Sequence, residues 1–418
     1  MQPTNALLPN RGFLPERLLA PAQAMVAYFA RAELARPQTE AVALDDASGR
    51  VLAGDIRADA SYPAAARSTM DGFAFAAGST PGSLRVVGEV LMGGLFAGGV
   101  AAGEAVRIPT GGLLPAGTDA VAPLEDVRLD GECVVVAARV PVGGCVSPPG
   151  GDLRKGELIL EAGRWIGAPE IGVLATLGVV DVPVFVRPLI GVISSGDELV
   201  EPSEEPQLGQ IRDSNRYVVA ASLRAMGAEP VHLPTVRDDP KALELALRDA
   251  LEGCQGVIVS GGSSVGQRDL TPEIAARLGE PGVLVHGLRI KPGKPTLLAA
   301  VEGRPLIGLP GNPVAALIVL EAVAAPILAA IVGAPFRPSM LQTRLAAELR
   351  SRPGWTCYSP VRIEDEAGGL TAHPLELHSS EVALPARAGG YVVMDEELET
   401  IPAGQSVRVV RFSSGGRF

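Results

Sequence analysis

The residues best placed to do chemistry in this sequence sit beside glycine turns. Glu198, Asp238, Asp239 and Asp269 fall near the turns Ser194-Ser-Gly-Asp-Glu198, Ser260-Gly-Gly-Ser263 and Pro310-Gly-Asn-Pro313, and Lys291-Pro-Gly-Lys294 lies between the last two. Hydroxyl, amide and backbone N–H groups at Gly-rich strand ends suit an anion. Two lysines in a loop stiffened by proline supply fixed positive charge, and carboxylates beside phosphate oxygens suit Mg2+, a hard cation. A single Gly-rich strand end is usually structural, and at least one of Asp238 and Asp239, just before Pro240, is expected to cap a helix. Three such turns with two lysines among them predict a pocket for a phosphate-bearing small molecule. Its candidate lining is Ser195, Gly196, Asp197, Ser260, Gly261, Gly262, Ser263, Pro310, Gly311 and Asn312, with the carboxylates Glu198, Asp238, Asp239 and Asp269 as metal candidates. Two further groups lie earlier in the chain. Asp71, in Ser68-Thr-Met-Asp-Gly-Phe-Ala74, reads as a turn aspartate from that motif alone, and Thr110 beside Gly111 offers a hydroxyl to an anion.

The elements that must hold these turns follow from periodicity. From Pro188 onward short apolar runs alternate with helical repeats: strands at Leu189–Ile193, Pro230–Val236, Gly256–Ser260, Val283–Ile290, Thr296–Ala300 and Pro305–Leu309. Helices are expected from Asp213 or Ser214 to Gly227, at Lys241–Leu251, at Thr271–Leu278 and after Asn312. That alternation is the mark of a doubly wound α/β domain, here residues 188–335. Residues 61–147 carry short β segments between Gly and Pro turns and no helix pattern, so an inserted small β domain is expected. Around it, residues 15–60 and 148–187 form a discontinuous helical/mixed linker domain, with an amphipathic helix over Pro15–Ala35 whose apolar positions are Leu18, Leu19, Met25, Val26 and Phe29. Residues 336–418 are again β-rich and predict a C-terminal β domain. The fold class is multidomain α/β plus β.

Composition excludes several classes. The 418 residues are 47% hydrophobic and 20% charged, those of a globular protein with more than one core. A net charge of −11 argues against nucleic acid or an anionic membrane as the main partner. Cys133, Cys145, Cys254 and Cys357 form no CxxC pair, and His232, His286, His373 and His378 show no metal-ligand spacing. No secretory signal is evident, and the apolar run Val314–Val332, broken by Glu321 and Pro326, reads as a buried helix, so a cytoplasmic protein is expected. No Walker motif, GxGxxG fingerprint or nucleophile elbow is present, which argues against an ordinary NTPase, dinucleotide enzyme or serine hydrolase.

Read in order, the motifs resemble the molybdopterin molybdenumtransferases, the MoeA family that includes the E domain of gephyrin. The resemblance is carried by Ser68-Thr-Met-Asp-Gly-Phe-Ala74, Arg107-Ile-Pro-Thr-Gly111, Pro115-Ala-Gly-Thr-Asp-Ala-Val121 and Gly151-Asp-Leu-Arg-Lys-Gly-Glu157. It continues through Ser195-Gly-Asp-Glu-Leu199, Asp213-Ser-Asn-Arg216, Ser260-Gly-Gly-Ser-Ser-Val-Gly266, Lys291-Pro-Gly-Lys-Pro295 and Gly308-Leu-Pro-Gly-Asn-Pro313. It implies a four-domain homodimer with a central MogA-like α/β domain, and a Mg2+-dependent insertion of molybdate into the dithiolene of adenylylated molybdopterin with loss of AMP. It further implies that Asp71 and Thr110 face the α/β domain of a partner subunit, that Glu198, Asp238 and Asp269 serve metal binding and phosphoanhydride cleavage, and that Lys291 and Lys294 hold the anionic groups. A transient contact with the molybdopterin adenylyltransferase is expected as well. The C-terminal domain departs from the family pattern: Gly354-Trp-Thr-Cys-Tyr-Ser-Pro360 lacks two usual arginines, and Ser379 is the one candidate left in His378-Ser-Ser380. A non-catalytic molybdopterin-binding protein, or a dimeric scaffold for a partner peptide, are the alternative readings.

Overall fold

The protein is described from a computed structural model covering residues 18–261, 270–376 and 381–412. It divides into two compact units. One comprises the described residues of Met1–Ala53, Gly163–Gly167 and Asp181–Phe418; the other is Gly54–Ala162 with Ala168–Val180.

In the first unit, helix α1 spans Pro21–Phe29, with Pro21 in its first turn, where a missing N–H costs nothing. Its buried face is only partly the expected one: Leu18 is buried and Leu19 and Met25 pack against the core, but Val26 and Phe29 do not. Ala24 and Tyr28 are fully buried, whereas Val26 and Phe29 stay 72% and 46% exposed. Small Ala24 lets the helix approach its neighbours, and the Tyr28 hydroxyl donates to the carbonyl of Ala299 at 3.3 Å, so the i, i+4 row through Ala24 and Tyr28 makes the closest contact. Strand β1 (Thr39–Ala43) later pairs with Asp181–Phe185.

The second unit holds a six-stranded sheet of β2 (Gly72–Phe75), β3 (Gly82–Glu89), β4 (Glu104–Ile108), β5 (Ala120–Pro123), β6 (Val127–Asp130) and β7 (Cys133–Val136), in the order β5-β2-β4-β3-β7-β6. Both faces are covered. Phe73 and Phe75 pack with Leu84 and Val134 on one side, and Ala74 packs with Val106, Ile108 and Val121 on the other, as period-2 alternation requires. Helix α2 (Ala168–Thr176) follows in the same unit.

Back in the first unit, β8 (Asp181–Phe185) leads into the α/β domain: β9 (Leu189–Ser195), α3 (Asn215–Ala225), β10 (Glu229–His232), α4 (Pro240–Gly253), β11 (Gly256–Gly261), α5 (Leu270–Leu278), β12 (Pro281–His286), β13 (Ile290–Lys291), β14 (Leu297–Val301), β15 (Arg304–Leu309), α6 (Pro313–Val319) and α7 (Ala325–Val332). The sheet runs β10-β9-β11-β15-β14-β12, with the first four strands parallel and β14 antiparallel to both neighbours. It is doubly wound. Ile190, Val192, Ile258 and Ile307 face α1, α3, α6 and α7, while Ile193, Val257, Val259 and Leu306 face α4 and α5.

Between α6 and α7 a π turn covers Leu320–Ala324. It precedes Pro326, which has no N–H to give and would crowd the carbonyl one turn back in a regular helix. The helical segment Pro313–Val332 is, among the described residues, the one long and apolar enough to span a bilayer, and 78% of its apolar window is buried inside the protein. The expected core helix is what the packing shows.

The C-terminal region closes into a barrel. β16 (Met340–Leu345), β17 (Thr356–Glu366), β18 (Gly369–Pro374), β19 (Gly390–Met394) and β20 (Ser406–Arg411) run β17-β18-β16-β20-β19, and β19 pairs back onto β17. Closure leaves no free edge among these five strands.

Candidate active site

The crevice forms where parallel strands stop. β9 and β11 end side by side at Ser195 and Gly261, and β15 runs beside β11 to Leu309. The chain then turns through Pro310 and Gly311 into α6. Gly261 has φ +96°, and a Cβ there would stand 2.1 Å from the Ser195 carbonyl oxygen, so only glycine allows the two strand ends to meet so closely. A Cβ built on Gly311 would come 3.8 Å from the Gly261 Cα, which puts the third turn beside the first two.

The polar groups at these ends are tied into a network. Ser195 Oγ donates to Asp238 Oδ1 at 3.2 Å, and the Asp238 N–H donates to Asp197 Oδ1 at 3.4 Å. The Gly196 N–H bonds to the Val236 carbonyl, which holds the loop carrying Asp238 against the end of β9. Glu198 folds back over buried Gly196, its Oε2 2.6 Å from where a Cβ on that glycine would be. Asp197, Glu198 and Asp238 are exposed. Ser194 Oγ, by contrast, is buried without a hydrogen-bond partner. The carboxylates of Asp197, Glu198 and Asp238 are oxygen donors of the kind that a hard divalent cation takes.

Neighbouring Asp239 is the helix cap, its Oδ1 accepting the Ala242 N–H at 2.7 Å. Asn312 does the same for α6, accepting from the Ala315 N–H at 3.0 Å, so its side-chain oxygen is committed to the helix. Asp269, Gly262, Ser263 and Ser379 lie outside the described residues.

Helix α3 supplies groups to which sequence reasoning assigned no role. Asn215 Nδ2 donates to Ser260 Oγ at 2.7 Å and to the Gly311 carbonyl at 2.9 Å, joining two of the turns. Arg216 is buried, donates to Glu201 at 2.5 Å and to the Leu233 carbonyl at 3.1 Å, and pairs with Asp213 at 3.5 Å. The Arg216 hydrogen bond holds the Glu201 carboxyl below the usual carboxylate range. Ser214 stands at the cap position without a capping bond from its side chain; Asp213 Oδ1 accepts the Arg216 N–H instead. The only signal in the sequence was the polar run Asp213-Ser-Asn-Arg216.

The lysine loop differs from its expected form. Val283–Ile290 is not one strand: β12 ends at His286, and Ile290–Lys291 pairs in parallel with Thr356 and Cys357 of the barrel strand β17. Arg289 reinforces that junction through Glu396 at 2.6 Å. Gly293, φ +112°, lies against α6, where a Cβ would come 2.4 Å from Val319 Cγ2. Lys291 is exposed and Lys294 half-buried. In the barrel, Trp355, Cys357 and Val361 fill the core, which is where the departing Gly354–Pro360 segment spends its side chains.

In the second unit, Asp71 precedes β2 and Thr110 follows β4, and the pairing of these two strands brings them together. The Thr110 N–H donates to Asp71 Oδ1 at 2.7 Å. That bond first, the Thr110 hydroxyl second and the Arg107 charge beyond them hold the Asp71 carboxyl below its ordinary value.

Such a crevice, in a chain that also carries a separate β sheet and a closed barrel, defines a multidomain α/β protein with an oxygen-lined site at its strand ends. Three family models match the chain: the MoeA N-terminal region (domain I and II) over residues 19–178, a probable molybdopterin binding domain over 191–330, and the MoeA C-terminal region (domain IV) over 342–412. A molybdopterin molybdenumtransferase of Haemophilus influenzae is 30% identical over 90% of this chain and 94% of its own length, and one of Bacillus subtilis is 31% identical over 89% and 90%. The crystal structure of a molybdopterin biosynthesis MoeA protein from Pyrococcus horikoshii superposes with a TM-score of 0.83 at 26% identity, covering 95% of this chain and all of that one. The chain belongs to the MoeA family.

Proposed function

We propose that this chain is a molybdopterin molybdenumtransferase of molybdenum cofactor biosynthesis. It inserts molybdate into the dithiolene of adenylylated molybdopterin and releases AMP. The observation that carries the reading is the crevice in which Ser195, Asp197 and Asp238 are hydrogen-bonded beside the turns at Gly261 and Gly311, in a chain matched nearly end to end by the family. In this reading the backbone and hydroxyl groups of Ser195, Ser260, Gly261 and Gly311 bind the substrate's phosphates, and Lys291 and Lys294 offset negative charge as the anhydride breaks. Cleaving a phosphoanhydride asks for positioned positive charge more than for a protein nucleophile. The oxygen donors of Glu198, Asp238 and Asp269 would hold Mg2+, which supplies Lewis-acid stabilisation of phosphate oxygens when bound.

The same reading makes the active form a homodimer, in which Asp71 and Thr110 serve the α/β domain of the partner. It assigns the chain to the cytoplasm, where its four free thiols suit a reducing environment, and foresees a transient contact with the adenylyltransferase that supplies the substrate.

The test is AMP release from adenylylated molybdopterin with Mg2+ and molybdate. The wild type should release AMP only when molybdate is present. Asp71→Asn and Lys294→Ala should each lower the rate by about a hundredfold, the usual cost of removing one preorganised electrostatic contact. A wild type that binds the pterin and releases no AMP would leave a binding protein in place of an enzyme.

A further inference from the structure

We propose that the C-terminal barrel carries a second, peripheral metal site for a borderline divalent transition metal such as Zn2+, held by His373, Glu364 and Glu366. The three residues come from adjacent strands. β17 and β18 pair antiparallel with Glu364 opposite Thr371 and Arg362 opposite His373, so all five side chains emerge on one face of the hairpin.

His373 Nε2 lies 3.0 Å from Glu366 Oε1 and 3.2 Å from Glu364 Oε2. One ring nitrogen therefore faces two carboxylates at once. A single N–H points along one direction and serves two acceptors poorly, whereas a cation between the three atoms satisfies all of them. Imidazole nitrogen and carboxylate oxygen bind Zn2+ at about 2.0–2.2 Å, which sets neighbouring ligand atoms about 3–3.5 Å apart; His373 Nε2 stands near that separation from each carboxylate oxygen, and all three atoms lie within 4.8 Å of one another.

The carboxylates are also aimed. Arg362 Nη1 holds the other oxygen of Glu364 at 3.1 Å, and Thr371 Oγ1 donates to the other oxygen of Glu366 at 3.0 Å. Each is held from behind with its free oxygen turned to His373, as outer partners orient ligands in metal centres. The nitrogen donor favours Zn2+ over Mg2+, and the partial exposure of all three side chains leaves coordination positions open to water. An ion there would clasp β17 to β18 across their turn.

The test is isothermal titration of the full-length protein with Zn2+, and with Mg2+ as the control. The wild type should bind one more equivalent of Zn2+ than His373→Ala or Glu366→Gln, and Zn2+ should raise its Tm more than that of either variant. Thr371→Val, which keeps all three ligands, should bind about tenfold or more weakly. Equal stoichiometry and affinity in wild type, His373→Ala and Glu366→Gln would overturn the proposal, as would a wild type that binds no Zn2+.

Discussion

Asp71 is exposed to water, yet its carboxylate is not free. The Thr110 N–H and hydroxyl and the charge of Arg107 all favour the ionised form, so its folded-state pKa falls below the ordinary 3.8. The sign of the linkage follows from that direction. The stabilising contribution is complete above the unfolded-state value near 3.8, and it is lost as pH falls through the lower folded value. A carboxyl NMR titration should show the Asp71 midpoint below that of a free aspartate. Thr110→Val, which keeps the N–H and removes the hydroxyl, should move the midpoint part of the way back; an unchanged midpoint would show that the hydroxyl contributes nothing. An aspartate ionised throughout the neutral range is suited to orienting a substrate or a cation and unsuited to donating a proton there.

At the scale of elements, the crevice depends on how closely two strand ends approach. Gly261→Ala would force a left-handed backbone on a residue with a side chain and drive its Cβ into the Ser195 carbonyl. Such strain costs about 1–3 kcal/mol before the clash is counted. Chemical denaturation should therefore show a clear loss of stability, accompanied by a loss of pterin binding. Gly311→Ala serves as the comparison, since its Cβ would meet only the Gly261 Cα at an ordinary 3.8 Å. It should fold with near wild-type stability. Equal behaviour of the two variants would remove the close approach as the reason for glycine at 261. Helix α3 works at the same scale: Asn215 joins the ends of β11 and β15, and Arg216 anchors the end of β10, so one helical turn holds three strand ends.

At the scale of the molecule, the proposed homodimer makes a prediction that no monomer shares. If Asp71 of one subunit serves the α/β domain of its partner, a site needs Asp71 and Lys294 from different chains. Mixing inactive Asp71→Asn and inactive Lys294→Ala subunits, with exchange, would then regenerate one intact site in each mixed dimer. With random pairing, activity should recover to about a quarter of wild type, as two-fold symmetry dictates. A mixture as inactive as its parents would place both residues in one chain's site or make the protein monomeric.

Local pattern carried much of this protein. The β-branched runs at Leu189, Gly256 and Arg304 and the helical repeats between them marked the α/β domain, because period 2 and period 3.6 are properties of neighbouring residues. The glycine turns at Ser195, Gly261 and Gly311 were legible for the same reason, since each is a short stretch with its own backbone demand. Other features depend on register and packing between distant segments. The hidden face of α1 was set by the fit of Ala24 and Tyr28 against the core, not by the bulkier Val26 and Phe29. Ile290–Lys291 left its expected strand because β17, more than sixty residues on, offered a partner. His373 had no metal-ligand spacing in the sequence, and it meets Glu364 and Glu366 only because two antiparallel strands pair in one register. A chain writes its local conformations in consecutive residues; which side chains face one another across strands is settled when the cores close.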